Sequence, residues 1–137
     1  MAQVVTNHNQ RRAIVGITLP MDKPSGVGFN TSFSTTEQYA YNLMHLILTE
    51  PYEKIFDPNF GVPKKKWLFT NFTNAAEDID DIITDDIKVA VKRYLPEIGI
   101  VNVTSHIDVD EHIVKLEVFY TISNNPKEYS LSVNLQL

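Results

Sequence analysis

Glu50 and Asp57 are the two carboxylates placed most like an acid–base pair, one ending a helical pattern and the other inside the turn-rich stretch FDPNFG at Phe56 to Gly61. Cleavage of a glycosidic bond needs two carboxyl groups facing each other across a cleft, one as acid and the other as base or nucleophile. With 17 acidic residues in the chain, such pairs arise by chance, and nothing nearby marks either acid as desolvated. The histidines His8, His45, His106 and His112 show no HExxH spacing, the pattern that sets two imidazoles on one helix face around a metal. His106 and His112 flank a DVDE turn and could meet across a hairpin, but solvated turn histidines share that placement. The sequence has no GxSxG elbow, no glycine-rich phosphate loop and no cysteine, so nucleophilic and thiolate chemistry lack their usual carriers. The expectation is a chain without catalytic residues, cofactor or metal.

Composition points the same way. The 137 residues are 43% hydrophobic and 21% charged, which suits one domain with a single core. A net charge of −5 repels phosphate, and the basic residues cluster only at Lys64, Lys65 and Lys66, so nucleic acid is not an expected partner. No apolar stretch approaches the roughly 20 residues of a membrane-spanning helix, and the polar start MAQVVTNHNQRR lacks an apolar signal-peptide centre. A soluble chain made in a reducing compartment is expected, with no membrane partner.

The elements that would position any site follow from periodicity. Residues 1–34 read as an N-terminal extension with two short strands, within Ala13 to Leu19 and Gly28 to Phe33, around the turn-rich PMDKPSG. Residues 35–137 read as the main domain. Tyr39, Leu43, Leu46 and Ile47 repeat at helical spacing from about Thr36 to Thr49, Ser34 and Glu37 have the spacing of a capping box, and Pro51 stops the helix by Glu50. In a second, longer helix Ile79, Ile82, Ile83, Ile87, Ala90, Val91 and Tyr94 form one stripe, with Asn74 and Glu77 as its capping pair. Its acids lie early and its bases late, as the helix dipole favours, and Pro96 ends it. Three strands follow, Gly99 to Ile107, Ile113 to Ile122 and Tyr129 to Leu137, with DVDE and NNPKE as turns. Short links predict antiparallel neighbours. The predicted fold is α+β, a two-layer domain with two helices on a mainly antiparallel sheet.

FDPNFG then reads as a corner built to hold a shape. Pro58 fixes a backbone angle, Asp57 and Asn59 can bond nearby main chain, Gly61 permits a left-handed conformation, and Phe56 and Phe60 are expected to anchor the corner in the core. The three lysines that follow read as a solvated loop, before apolar surface from Trp67, Leu68, Phe69 and Phe72. The final strand alternates, with Tyr129, Leu131, Val133, Leu135 and Leu137 on one face, and a terminal strand can leave its backbone open as a sheet edge that recruits a partner.

From about Tyr41 to Leu137 these features occur in a recognisable order: NLMHLILTEPYEKIFDPNFG, then Leu68 and Phe69, an acidic helix ending in VKRYLPEI, and three strands with NNP before the last. The order resembles the baseplate wedge proteins of contractile-tailed phages related to T4, a family sometimes labelled lysozyme-like. The resemblance implies a structural, non-enzymatic role in the virion tail baseplate after synthesis in the host cytoplasm. The implied partners are other wedge subunits, the tail sheath protein and the tail tube, with one copy per wedge of a six-fold baseplate. The first sheath ring would then be templated by strand addition on Tyr129, Leu131, Val133 and Leu135. Phe56, Asp57, Pro58, Phe60 and Gly61, together with Leu95, Pro96 and Glu97, would face wedge subunits. The family carries Glu-Pro-Arg after its long helix, whereas this chain has Leu95-Pro96-Glu97 and so lacks both charges of that motif. A cell-wall hydrolase using Glu50 and Asp57, and an adaptor in a non-phage contractile injection system, are the alternative readings.

Overall fold

In a computed structural model, residues 15–18, 31–32, 34–70, 76–108, 113–123 and 125–136 are described. The longest helix among them, α3 (Ala76–Tyr94), follows the isoleucine stripe. Ile79, Ile83, Ile87, Ala90 and Val91 are buried and Ile82 and Tyr94 partly so, while Val89 on the opposite side is 71% exposed. Each fully buried isoleucine contributes roughly 1.5–3 kcal/mol of apolar transfer, and that burial holds an otherwise strongly charged helix in place.

This stripe lies on a three-stranded antiparallel sheet, β3 (Ile98–Asp108), β4 (Ile113–Ile122) and β5 (Asn125–Gln136), with β4 in the middle. Alternation sorts the strands into two faces. Val114, Leu116, Val118, Tyr120 and Ile122 of β4 point into the core with Val133 and Leu135 of β5, and Lys115, Glu117, Ser130, Ser132 and Asn134 face outward. In β3 the register passes from Ile100 opposite Tyr120 to Asn102 opposite Phe119. Val101 is the bulged residue, and the extra step lets Ile98 and Val103, five positions apart, both reach the core,. A second irregularity follows the β4–β5 turn, where Thr121 pairs with Glu128 but Ile122 with Asn125. β5 therefore begins inside the expected NNPKE turn, and Pro126 sits at an irregularity of an edge strand, where its missing N–H is tolerated.

The helix α1 (Thr35–Leu48) completes the helical layer with Leu43, Leu46 and Ile47 buried. Its expected capping box does not form: Ser34 is the N-cap in an extended conformation, but its side chain makes no cap hydrogen bond. The nearby Gln38 side chain is engaged by the Ser32 hydroxyl and donates to Asn42 at 2.8 Å. The capping pair proposed for α3 includes Asn74, outside the described residues. A short helix, α2 (Lys64–Thr70), replaces the loop expected at the three lysines. Lysines in a first turn oppose the helix dipole, so local sequence disfavours this helix, and tertiary contacts supply it. Trp67 is buried and its indole N–H donates to Asp86 of α3 at 2.8 Å, while Lys66 lies 3.4 Å from the same carboxylate. The layer thus holds three helices among the described residues, against the two expected. The first two strands are the pairs β1 (Gly16–Ile17) and β2 (Thr31–Ser32), antiparallel to each other, with Ser32 fully buried beside α1. Phe72, His8, His112 and Leu137 fall outside the described residues.

Candidate functional site

The corner begins where α1 ends. Thr49 closes the helix with its N–H and its hydroxyl both on the His45 carbonyl, at 3.1 and 2.7 Å, and the Lys64 ammonium donates to the Leu48 carbonyl. Cationic donors at a helix C-terminus satisfy carbonyls that have no intrahelical partner. The chain then loops out through residues 51–60 and returns to its own starting point. The Val62 N–H donates to the Thr49 carbonyl at 3.0 Å, and the Tyr52 N–H donates to the Pro58 carbonyl at 2.8 Å. Gly61 makes the crossing possible: its φ is +116°, and a Cβ there would lie 2.3 Å from the Thr49 carbonyl oxygen. Tyr52, with φ +74°, is a non-glycine residue held in left-handed backbone, a conformation that surrounding contacts must impose.

The two phenylalanines of this corner have different fates. Phe60 turns inward against Tyr94, with ring centroids 5.0 Å apart edge-to-face, and against His45 at 5.4 Å, and the Lys54 ammonium lies 3.5 Å from the centre of its ring. Phe56 is entirely exposed, contrary to the expectation that it anchors the corner, and its neighbours Ile55 and Tyr52 are 89% and 81% exposed. Only one aromatic is needed to pin a loop whose neck is already closed by backbone bonds. Phe56, Ile55 and Tyr52 form an apolar tip.

Tyr94 joins two segments that lie far apart in sequence. Its hydroxyl donates to the Asp57 carboxylate at 3.1 Å while its ring carries Phe60, and Leu95, Pro96 and Glu97 follow it directly. Partial burial first, and then the hydrogen bond to Asp57 and that carboxylate's charge, hold the Tyr94 hydroxyl above the usual phenol range. On the other side of Phe60, burial and the Lys54 charge push His45 below the usual imidazole range. Leu95 packs against the core, Pro96 and Glu97 are exposed, and the Glu97 carbonyl accepts the Ser123 N–H at 2.9 Å. The hydrolytic pair finds no support in this geometry. Asp57 is held by Tyr94, the Glu50 carboxylate receives only a long contact from the Lys65 N–H at 3.5 Å, and neither lines the groove bordered by Lys88, Lys92 and Pro96. His106 lies on the outer sheet face opposite Lys115, and no cluster of metal-ligating side chains occurs among the described residues.

The sheet edges differ in a way that sequence did not reveal. On β3, the Asp80 carboxylate of α3 accepts the Ser105 N–H at 3.1 Å as well as the Ser105 hydroxyl, closing part of the outer edge. On β5, from Glu128 to Gln136, no other element bonds to the outer edge among the described residues. The side chains expected to meet a partner are occupied: Val133 and Leu135 are buried, Leu131 packs against the core, and Tyr129 stacks on Tyr120 at 5.7 Å and accepts from Asn125 at 2.6 Å. What β5 offers is backbone.

No protein-family model matches the sequence, and no curated protein matches it. Solved structures do match in shape. The fold is one that baseplate complexes contain. A chain of the anti-feeding prophage baseplate superposes with a TM-score of 0.56 at 17% identity, over 86% of this chain and 81% of that one. A chain of the type VI secretion system baseplate complex gives 0.52 at 12% identity, over 73% and 93%. A candidate tail lysozyme from Geobacter sulfurreducens gives 0.61 at 19% identity, over 76% and 92%. At these identities the likeness concerns the fold.

Proposed function

We propose that this protein is a structural subunit of a contractile-tail baseplate, not an enzyme, and that it docks neighbouring wedge subunits through the loop from Tyr52 to Gly61. The observation that carries this reading is the apolar tip. Large side chains wholly exposed on a loop locked at its neck are costly in water and are suited to a pocket in a partner, where buried aromatics dominate binding,. Asp57, Pro58, Phe60 and Gly61 hold the tip in shape, and Tyr94 couples it to Leu95, Pro96 and Glu97 as one wedge-facing surface.

The second part of the proposal concerns the sheath. Strand addition needs an unoccupied edge and a register, and the open backbone of β5 with its alternating side chains supplies both,. In this reading the protein stands beside the tail tube, one copy per wedge, and templates the first ring of tail sheath protein. The chemistry is the same in a phage virion and in a non-phage injection machine, so the reading applies to either setting.

Purified protein mixed in sub-stoichiometric amount with its cognate sheath protein is expected to nucleate rings or tubes visible by negative stain. Truncating β5 would remove Val133 and Leu135 from the core, so the edge is better tested with lysines at exposed positions, Ser130→Lys with Ser132→Lys, a device that natural edges use against pairing. The folded double variant should lose nucleation. Rings formed equally well by that variant would overturn the edge assignment.

A further inference from the structure

We propose that Tyr52 sets the specificity of the tip: its ring enters the partner beside Ile55 and Phe56, and its hydroxyl donates to a carbonyl at the rim of an uncharged, apolar pocket. The inference rests on the wedge-docking reading and names the chemistry that the docked subunit must present. It begins with a turn. The Glu53 N–H donates to the Glu50 carbonyl at 3.2 Å, so Glu50, Pro51, Tyr52 and Glu53 close on themselves. Proline in the second place and a positive φ in the third give the form of a type II turn, whose third place calls for glycine or asparagine. Here that place holds Tyr52, at φ +74°.

The fold draws no contact from this side chain. What Tyr52 gives the loop is its main chain, through the N–H that donates to the Pro58 carbonyl at 2.8 Å, a bond glycine would make equally well. Its ring and hydroxyl are exposed and make no hydrogen bond or ring contact among the described residues. A residue that breaks its turn's own rule, with no internal contact to compensate, marks a functional position. The surrounding charges define the partner. Each charged side chain from 51 to 60 is turned back on the protein: Glu53 accepts the Glu50 N–H at 2.9 Å, Lys54 lies over the Phe60 ring, and Asp57 accepts the Tyr94 hydroxyl. The tip is thus presented without a free charge, and among its three side chains the Tyr52 hydroxyl is the one polar group. An apolar pocket with no charge of its own and one acceptor at its rim complements that surface, and tyrosine suits a contact that is apolar along the ring and polar at its end.

The test adds the purified whole chain back to wedges of its own assembly prepared without it. It reads the concentration giving half-maximal co-sedimentation, beside the denaturant midpoint of each variant. Tyr52→Gly should raise the midpoint, since the turn regains a residue it favours, and should weaken co-sedimentation by about tenfold or more, as truncation of a buried interface tyrosine does. Tyr52→Phe should unfold at the same midpoint as the unsubstituted chain, because the hydroxyl has no partner within it, yet bind about fivefold more weakly for want of one hydrogen bond. A lowered midpoint in Tyr52→Gly would assign the ring to the fold and overturn the proposal. So would undiminished binding by Tyr52→Phe. Ile55→Ser with Phe56→Ser separates this inference from the reading beneath it. If that variant fails to bind while Tyr52→Gly binds normally, Tyr52 has no part in a tip interface that exists; normal binding by both removes the wedge contact from the tip altogether.

Discussion

Tyr94 bears on the candidate site more than any single residue named from the sequence. Its ring supports Phe60 and its hydroxyl fixes Asp57, so one side chain ties the corner to the end of α3. Tyr94→Phe keeps the ring contact and removes the hydrogen bond, and should lower the denaturant midpoint of unfolding without changing its slope,. Across the same ring stack, His45 has a folded-state pKa lowered from 6.5. The unfolded chain therefore binds the proton more tightly than the folded one, and the stability this group contributes is present above pH 6.5 and lost as pH falls through the lower folded value,. His45→Gln should flatten the fall in melting temperature between neutral and mildly acidic pH; an unchanged slope would show that another group drives it. For the alkaline side, Tyr94 and Tyr120 are both held above the usual phenol range, mainly by burial.

At the scale of elements, the loop between α1 and α2 behaves as a unit because its ends touch. The carbonyl of Thr49 receives Val62, and Gly61 fits only without a Cβ. Gly61→Ala should destabilise the fold by about 3 kcal/mol, combining backbone strain with a steric clash against main chain that cannot swing aside. In α2, by contrast, local sequence favours a loop where the fold has a helix. Its lysines are unfavourable locally, and the contacts that stabilise it, Trp67 to Asp86 and Lys64 to Leu48, come from other helices. In α3 and the C-terminal strands, local pattern and tertiary contact agree, and these elements were legible to within a residue or two at most of their ends.

At the scale of the molecule, helices cover one face of the sheet, and among the described residues no element covers the other face, the apolar tip or the β5 edge. A monomer with that tip carries an exposed patch that the core does not need. Ile55→Ser with Phe56→Ser should therefore leave folding stability within about 0.5 kcal/mol, as for surface changes away from structural features, yet abolish co-sedimentation with wedge subunits of its own assembly. Unfolding of the double variant would assign the two side chains to the fold, and retained binding would assign the wedge contact elsewhere.

The sequence by itself determined the fold class, the buried stripes of α1 and α3, and the alternation of β5, because helical and strand periodicity are properties of neighbouring residues. It also named the corner and the segment at Leu95, Pro96 and Glu97. Only the tertiary structure decided which phenylalanine of FDPNFG points out. Phe56 and Phe60 have the same apolar surface, and Phe60 alone has Tyr94, contributed from the end of α3, to pack against. The sheet edges were decided in the same way. β3 and β5 look alike as strings of β-formers, and it is the carboxylate of Asp80, aimed across from α3, that closes part of one edge. Exposure and pairing depend on what the rest of the chain brings alongside, and no local pattern carries that information.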